Sequence, residues 1–212
     1  VYANVDIDDW KMILVNRDYI LPDNYEVKLA PSITDDPDSL KLDYRVAPHY
    51  NEMYLAALED GITLTPVSGY RSVERQERNF ENKISKYMDQ GYGKIEATQM
   101  AATIILPPGT SEHNAGLAMD ICSLADSFEN TKEFEWLDTH AAEYGFILRY
   151  PSDKEEITQI NYEPWHLRYV GVPAATYIMD NGLCLEEFHD QLMAAIDEFL
   201  AAGGPASLVE GF

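Results

Sequence analysis

The 212-residue chain reads as α+β, a single domain with a small antiparallel-rich sheet flanked by helices. Short β-rich segments at residues 62–67, 117–122, 146–150 and 166–170 are interspersed with helical stretches, without the regular βαβ rhythm of a doubly wound sheet. Apolar residues make up 46% of the chain, with 14 Tyr, 7 Phe and 3 Trp. That much apolar surface can offset the entropy of ordering, so a disordered acidic chain is excluded. The length suits one domain with at most an appendage, and no internal repeat or low-complexity block interrupts it.

Residues 1–50 hold Pro22, Pro31, Pro37 and Pro48 and the turn-rich run TDDPDS at 34–39, so an irregular N-terminal segment packed on the domain is expected there. The expected core is 51–185, followed by a C-terminal helix and tail over 186–212. Residues 51–60 (NEMYLAALED) are good helix formers closed by Gly61. Residues 62–67 make a strand that runs into Ser68-Gly69-Tyr70-Arg71. Ser72 caps a helix reaching about residue 90, in which Val73, Phe80, Ile84, Tyr87 and Met88 recur at the spacing of one buried face. A helix over 95–105 is stopped by Pro107-Pro108-Gly109. In 117–122, Leu117, Met119 and Ile121 alternate with Ala118, Asp120 and Cys122, a period-two strand that sets Asp120 opposite the large apolar residues. A helix over 132–144 stops at Gly145 before the strand 146–150, and HLRYV at 166–170 is a further short strand. Helices over 173–180 and 185–202 end at Gly203-Gly204-Pro205, which opens a frayed tail.

Fifteen Lys and Arg against 37 Asp and Glu leave a formal net charge of −22. A chain this negative repels phosphate backbones and anionic membrane surfaces, which excludes nucleic acid as a partner. Divalent metals, small peptides and cationic or zwitterionic ligands remain. Acidic runs such as Asp6-Ile7-Asp8-Asp9, Asp35-Asp36 and Glu155-Glu156 read as solvated surface. No apolar run is long enough to span a membrane, and the first ten residues lack the basic and apolar regions of a signal peptide. The chain starts at Val1, so a processed protein is expected, its export signal or anchor removed. Cys122 and Cys184 make neither a disulfide scaffold nor a cysteine metal site; one bridge and two buried thiols both stay open.

Several chemistries fall away at once. There is no Gly-x-Ser-x-Gly elbow, no serine followed three positions later by lysine, no phosphate-cradling loop and no His-Glu-x-x-His helix. Two dense segments remain: Ser111-Glu112-His113-Asn114-Ala115-Gly116-Leu117-Ala118-Met119-Asp120, and Glu163-Pro164-Trp165-His166-Leu167-Arg168-Tyr169. A catalytic Zn²⁺ takes three ligands from imidazole nitrogen or carboxylate oxygen and keeps a fourth position for water. His113, Asp120 and His166 supply three such ligands, and Glu163 then stands beside the water as general base. Gly116 lets loop and strand turn tightly toward one ion. Residue by residue, structural alternatives stand: His113 as a surface loop residue, Asp120 paired with an arginine, Glu163 as a cap. The combination is what argues for metal chemistry.

Together with Ser68-Gly69-Tyr70-Arg71-Ser72 and Gln76, these segments resemble the signature of VanY-type D-alanyl-D-alanine carboxypeptidases and their LdcB-type L,D-carboxypeptidase relatives. Both belong to the superfamily of lysostaphin, D-Ala-D-Ala metallopeptidases and sonic hedgehog, and the resemblance runs from about residue 14 to 185. It implies that fold, zinc on His113, Asp120 and His166, and Glu163 as catalytic base. It implies further that Arg71 contacts the scissile carbonyl and the peptide terminus, that Gln76 and Ser111 hold the terminal carboxylate, and that Tyr150 and Trp165 wall the pocket. For these two aromatics, plain core packing remains the alternative. Arg168 is expected to support the fold or a carboxylate behind the ligands, and His49, His140 and His189 lie outside the motifs. The expected activity is removal of D-Ala from peptidoglycan stem peptides by a monomer working outside the cytoplasm, at the bacterial cell wall. A tetrapeptide-specific L,D-carboxypeptidase, a peptidoglycan endopeptidase and a non-catalytic peptidoglycan-binding module are the alternatives.

Overall fold

The computed structural model of the protein describes residues 9–205; Asp6 to Asp8 of the first acidic run and the end of the expected tail lie outside them. Four strands form the central sheet in the order β3-β4-β6-β5: β3 (Pro66–Ser68), β4 (Ala118–Ile121), β6 (Glu163–Tyr169) and β5 (Phe146–Tyr150), with every neighbouring pair antiparallel. Alternation along the strands gives the sheet two unlike faces. Leu117, Met119, Ile121, Phe146 and Leu167 enter the larger core with Tyr50, Met53 and Ala57 of helix α1 (Ala47–Glu59). Asp120, His166 and Arg168 alternate with them on the strands. A second core, holding Met12, Leu14, Ile147 and Val170, joins helices α6 (Val172–Asp180) and α7 (Leu185–Ala201) through Ala174, Ile178, Leu185, Phe188 and Leu192.

Residues 29–43 depart from the expected irregular segment. Leu29–Ile33 (β1) and Asp36–Asp43 (β2) pair as an antiparallel hairpin with a register shift between Pro31 and Ile33. A two-stranded ribbon is all edge, so Pro31 and Pro37 cost it few ladder bonds, and the turn residues between them close it. Helix α2 (Val73–Asp89) starts where expected, with Ser72 Oγ accepting from Arg75 N at 3.2 Å, but its anticipated buried face is not buried. Val73 and Met88 are exposed, Phe80, Ile84 and Tyr87 are half-buried, and only Gln76 is buried. Helix α2 packs instead beside the neighbouring helix α3 (Lys94–Ala102), and neither contributes a side chain to the two buried cores.

Strand β3 is shorter than expected because residues 62–65 are irregular, although Ile62 and Leu64 are buried and Cys122 N still donates to Thr65 O at 2.8 Å. Strand β6 begins at Glu163 instead of His166. Its register against β5 shifts between Leu148 and Tyr150, an irregularity whose β6 side contains Pro164, which has no N–H for the ladder. Helix α4 (Lys132–His140) passes through a 3₁₀ turn to Gly145, and β5 follows as expected. The short helix α5 (Glu155–Thr158) was not anticipated. Both cysteines are free thiols. No helix among the described residues is long and apolar enough to cross a membrane, and Asp35, Asp36, Glu155 and Glu156 are exposed.

Candidate active site

The polar face of the sheet acquires its chemistry from register. Asp120 on β4 pairs with His166 on β6 and with Ser68 on β3, so three side-chain positions from distant parts of the chain lie in one row. His113 arrives from above, in the 3₁₀ turn Glu112–Ala115. Gly116 ends that turn at φ +70°, where a Cβ would come within 2.9 Å of Asp43 N. The backbone there must therefore be glycine, in agreement with the tight turn expected from sequence. Two bonds lock the turn to the strand end: Arg71 N donates to His113 O at 3.0 Å, and Asn114 Nδ2 donates to Arg71 O at 2.8 Å.

His113, Asp120 and His166 are all buried, and each offers one ligand atom such that the three lie within 4.8 Å of one another. His113 Nε2 is 3.3 Å from Asp120 Oδ2, and His166 Nδ1 is 3.1 Å from Asp120 Oδ1. Bonds of about 2.0–2.1 Å to a tetrahedral Zn²⁺ require ligand edges of roughly 3.3 Å; each imidazole stands near that spacing from a different oxygen of Asp120, and the three ligand atoms as a set lie within 4.8 Å. Asp120 Oδ1 is buried and, despite its nearness to the ring nitrogen, lacks a hydrogen bond of acceptable geometry. A buried carboxylate oxygen without a partner is costly, and a cation at the convergence point removes that cost. The far nitrogens are also committed: His113 Nδ1 meets Gly69 O at 2.9 Å and His166 Nε2 meets Glu112 Oε2 at 3.3 Å. An acceptor on the far nitrogen is what a metal-binding imidazole needs to hold its tautomer. The arginine partner considered for Asp120 does not occur; its ion-pair contacts among the described residues are the two histidines.

Electrostatics follow the same geometry. Burial works against the Asp120 carboxylate, but His113 and His166 outweigh it and hold its pKa well below the usual range. Burial also disfavours charge on His166, yet the adjoining carboxylates of Asp120 and Glu112 push its pKa up to about 10 in the absence of metal. Glu163 caps no helix. It opens β6 with Oε2 at 3.6 Å from His166 Nδ1, and burial first, with Asp120 adding to it against His166, raises its pKa. A carboxylate raised in this way is a better proton acceptor.

All nine residues singled out from sequence line one cleft of about 400 Å³. Arg71, lowered in pKa by burial, donates from Nη1 to Gln76 Oε1 at 2.8 Å and from Nη2 to Ser68 Oγ at 3.1 Å. Gln76 is itself tied to Leu106 O. Ser111 is buried beside His113, and the Tyr150 ring lies 4.7 Å from that of His166. Tyr150 and Trp165 both line the cleft; Tyr150 is buried and Trp165 packs against the larger core.

The family model for VanY, D-alanyl-D-alanine carboxypeptidase, matches residues 39–172. The chain belongs to the VanY family. A D-alanyl-D-alanine carboxypeptidase of Enterococcus faecalis (strain ATCC 700802 / V583) is 42% identical over 185 residues, covering 86% of this chain and 67% of that protein. Among solved structures, the vancomycin-resistance D,D-pentapeptidase VanY from a VanB-type cassette, in complex with Zn(II), superposes with a TM-score of 0.69 at 41% identity, over 85% of this chain and 99% of that one. The LdcB LD-carboxypeptidase superposes at 0.73 with 38% identity, over 86% of each chain.

For a VanY-family chain, three residues of this neighbourhood were not anticipated. Arg17 lines the cleft, donating from Nη2 to Ala102 O at 2.6 Å while its buried Nε has no partner. Asn114 ties two loops, and the wholly buried Glu112 backs His166. Glu112 sits inside the recognised motif, but nothing in sequence distinguishes a buried glutamate from a solvated one. Arg168 does support a carboxylate behind the ligands, bonding Glu112 at 2.8 Å. His140 and His189 lie on α4 and α7 beside Trp136 and Tyr19, and His49 stacks on Tyr169, all outside the cleft.

Proposed function

We propose that the protein is a zinc D-alanyl-D-alanine carboxypeptidase that hydrolyses the terminal D-Ala from peptidoglycan stem peptides. The observation that carries this reading is the convergence of three buried ligand atoms within 4.8 Å, beside Glu163 and in the cleft that Arg71 also lines. His113 through Nε2, His166 through Nδ1 and Asp120 through its carboxylate would hold the ion. Zinc, when bound, supplies Lewis-acid polarisation of the scissile carbonyl and lowers the pKa of water toward ~7. Glu163 takes the proton of the attacking water and passes it to the leaving amine. Arg71 turns its planar fork toward the developing oxyanion and the peptide terminus, a contribution of about 3 kcal/mol per donor in acyl-transfer sites. Gln76 holds that fork by its Nη1 and, with Ser111, receives the terminal carboxylate. Tyr150 and Trp165 exclude water from the sides.

The net charge of −22 opposes capture of an anionic peptide terminus, so binding rests on Arg71 and the metal. We take the working unit to be a monomer. Its action is extracytoplasmic, as for wall-acting relatives, at the bacterial cell wall, in secreted or anchored form. The likeness to LdcB favours one second reading, an L,D-carboxypeptidase on tetrapeptide stems. Mass spectrometry of products from penta- and tetrapeptide stems, with and without chelator, tests both. Single D-Ala release from the pentapeptide alone, abolished by chelator, is the expected result. Release from the tetrapeptide alone selects the second reading, and tight stem binding without turnover by the zinc-loaded protein selects a binding module.

A further inference from the structure

Glu112 has no part in the proposed chemistry, yet it is completely buried next to a ligand. Its Oε2 faces His166 Nε2, the ring nitrogen turned away from the cluster. Its Oε1 accepts from Arg149 Nε at 2.7 Å and from Arg168 Nη1 at 2.8 Å. Arg149, also completely buried, commits its other two nitrogens to Glu186 in the first turn of α7, Nη1 to Oε2 at 2.8 Å and Nη2 to Oε1 at 2.6 Å. Arg168 Nη2 donates to the carbonyls of Lys11 and Ile13, and Asn16 Nδ2 donates to Glu186 Oε1. Two carboxylates and two guanidiniums therefore form an interior chain of balanced charge from His166 to α7.

We propose that this chain sets His166 for the metal, and that α7 belongs to the metal centre through Glu186, Arg149 and Glu112. The proposal rests on His166 being a ligand. A neutral imidazole has one N–H; a carboxylate at Nε2 keeps the proton there and leaves Nδ1 bare toward Asp120. Glu112 can do this only if its own orientation is fixed, and the planar forks of Arg149 and Arg168 fix it. Arg149 in turn cannot rotate while Glu186 grips its outer edge. Leu185, Phe188 and Leu192 seat α7 in the second core, so the position of Glu186 is set by packing. Glu186 touches no ligand and lines no part of the cleft. Of its two side-chain partners, Asn16 and Arg149, it is Arg149 that bonds Glu112.

The test is zinc affinity, by competition with a chromogenic chelator, for the wild-type chain and three variants, with thermal midpoints of the metal-free proteins. Glu112→Gln weakens zinc binding by about 10- to 100-fold, the usual effect of losing the group that holds a ligand. It also leaves two buried guanidiniums short of a carboxylate and can fail to fold. Glu186→Gln then decides, because its side chain is partly at the surface (12% exposed). It is expected to weaken zinc binding by on the order of threefold to tenfold, one step further from the ligand. Leu137→Ala loosens the larger core at α4, away from α7 and Arg149, and should leave zinc affinity within about twofold while lowering the thermal midpoint at least as far. The proposal is overturned if Glu186→Gln or a folded Glu112→Gln binds zinc within about twofold of wild type. It is equally overturned if Leu137→Ala weakens zinc as much as Glu186→Gln does. A wild-type chain that binds no zinc overturns the site reading itself, and this proposal with it.

Discussion

Replacing Glu163 by glutamine removes a proton acceptor and leaves the surrounding geometry in place. Glutamine matches the shape of the carboxylate at the head of β6 and keeps an oxygen near His166, from which Glu163 Oε2 lies 3.6 Å in the native chain. It cannot take a proton at neutral pH. A positioned general base contributes about 10²- to 10⁴-fold, equivalent to about 3–5.5 kcal/mol of barrier. Glu163 is not among the three atoms that converge within 4.8 Å, so zinc content should be unchanged. Burial foremost raises the Glu163 pKa, and Asp120 adds to it against His166. Catalysis needs the ionised form, so wild-type kcat/KM falls as pH drops through that pKa. This acid limb should vanish in the variant. The assay is steady-state D-Ala release from a pentapeptide stem across pH, with zinc measured in each sample. The expected outcome is kcat lower by about 10²- to 10⁴-fold with KM within about threefold. A zinc-replete variant that keeps more than about a tenth of wild-type kcat would refute the assigned base, and loss of zinc would mark Glu163 as a ligand.

Two further outcomes test the scaffold beneath the site. Gly116→Ala should cost roughly 2–5 kcal/mol in urea unfolding, since a side chain at φ +70° adds left-handed strain and its Cβ would crowd Asp43 N at 2.9 Å and Val27 Cγ1 at 3.0 Å; a loss below about 1 kcal/mol would show that the turn relaxes freely. For Glu186, burial opposes ionisation, but Arg149 outweighs it and holds the pKa below the ordinary 4.5. A depressed folded pKa means that the stabilisation is complete above the unfolded value and is lost as pH falls below it. The urea midpoint of wild type should thus exceed that of Glu186→Gln near neutral pH, with the gap closing below about pH 4. A gap independent of pH would exclude the ion pair as its source.

Much of the site is legible from residue type and spacing because its members must be chemically specific. His113, Asp120, Glu163 and His166 stand in two short motifs, and all four reach one cleft with Arg71 and Gln76. Gly116 and Ser72 were equally readable, one through a left-handed turn with no room for a Cβ and the other through a hydroxyl that caps a helix. The hairpin β1-β2 was obscured by its prolines, which argue against strands in a sheet interior but not in a two-stranded ribbon. The half-exposed face of α2 was misread because periodicity reports amphipathicity without saying what covers it.

Local chemistry in the sequence determined which residue types are present to bind an ion, accept a proton and grip a carboxylate, and where helices must start and stop. Tertiary structure alone decided that Asp120 faces His166 across a β-ladder, and that Glu112 is buried between two arginines instead of solvated. It also decided that Glu186, far along the chain and beyond the expected core boundary at residue 185, bonds Arg149. The physical reason is that strand register and charge burial are set by contacts between distant segments. Spacing along the chain encodes only what a residue can do with its neighbours within a turn or two.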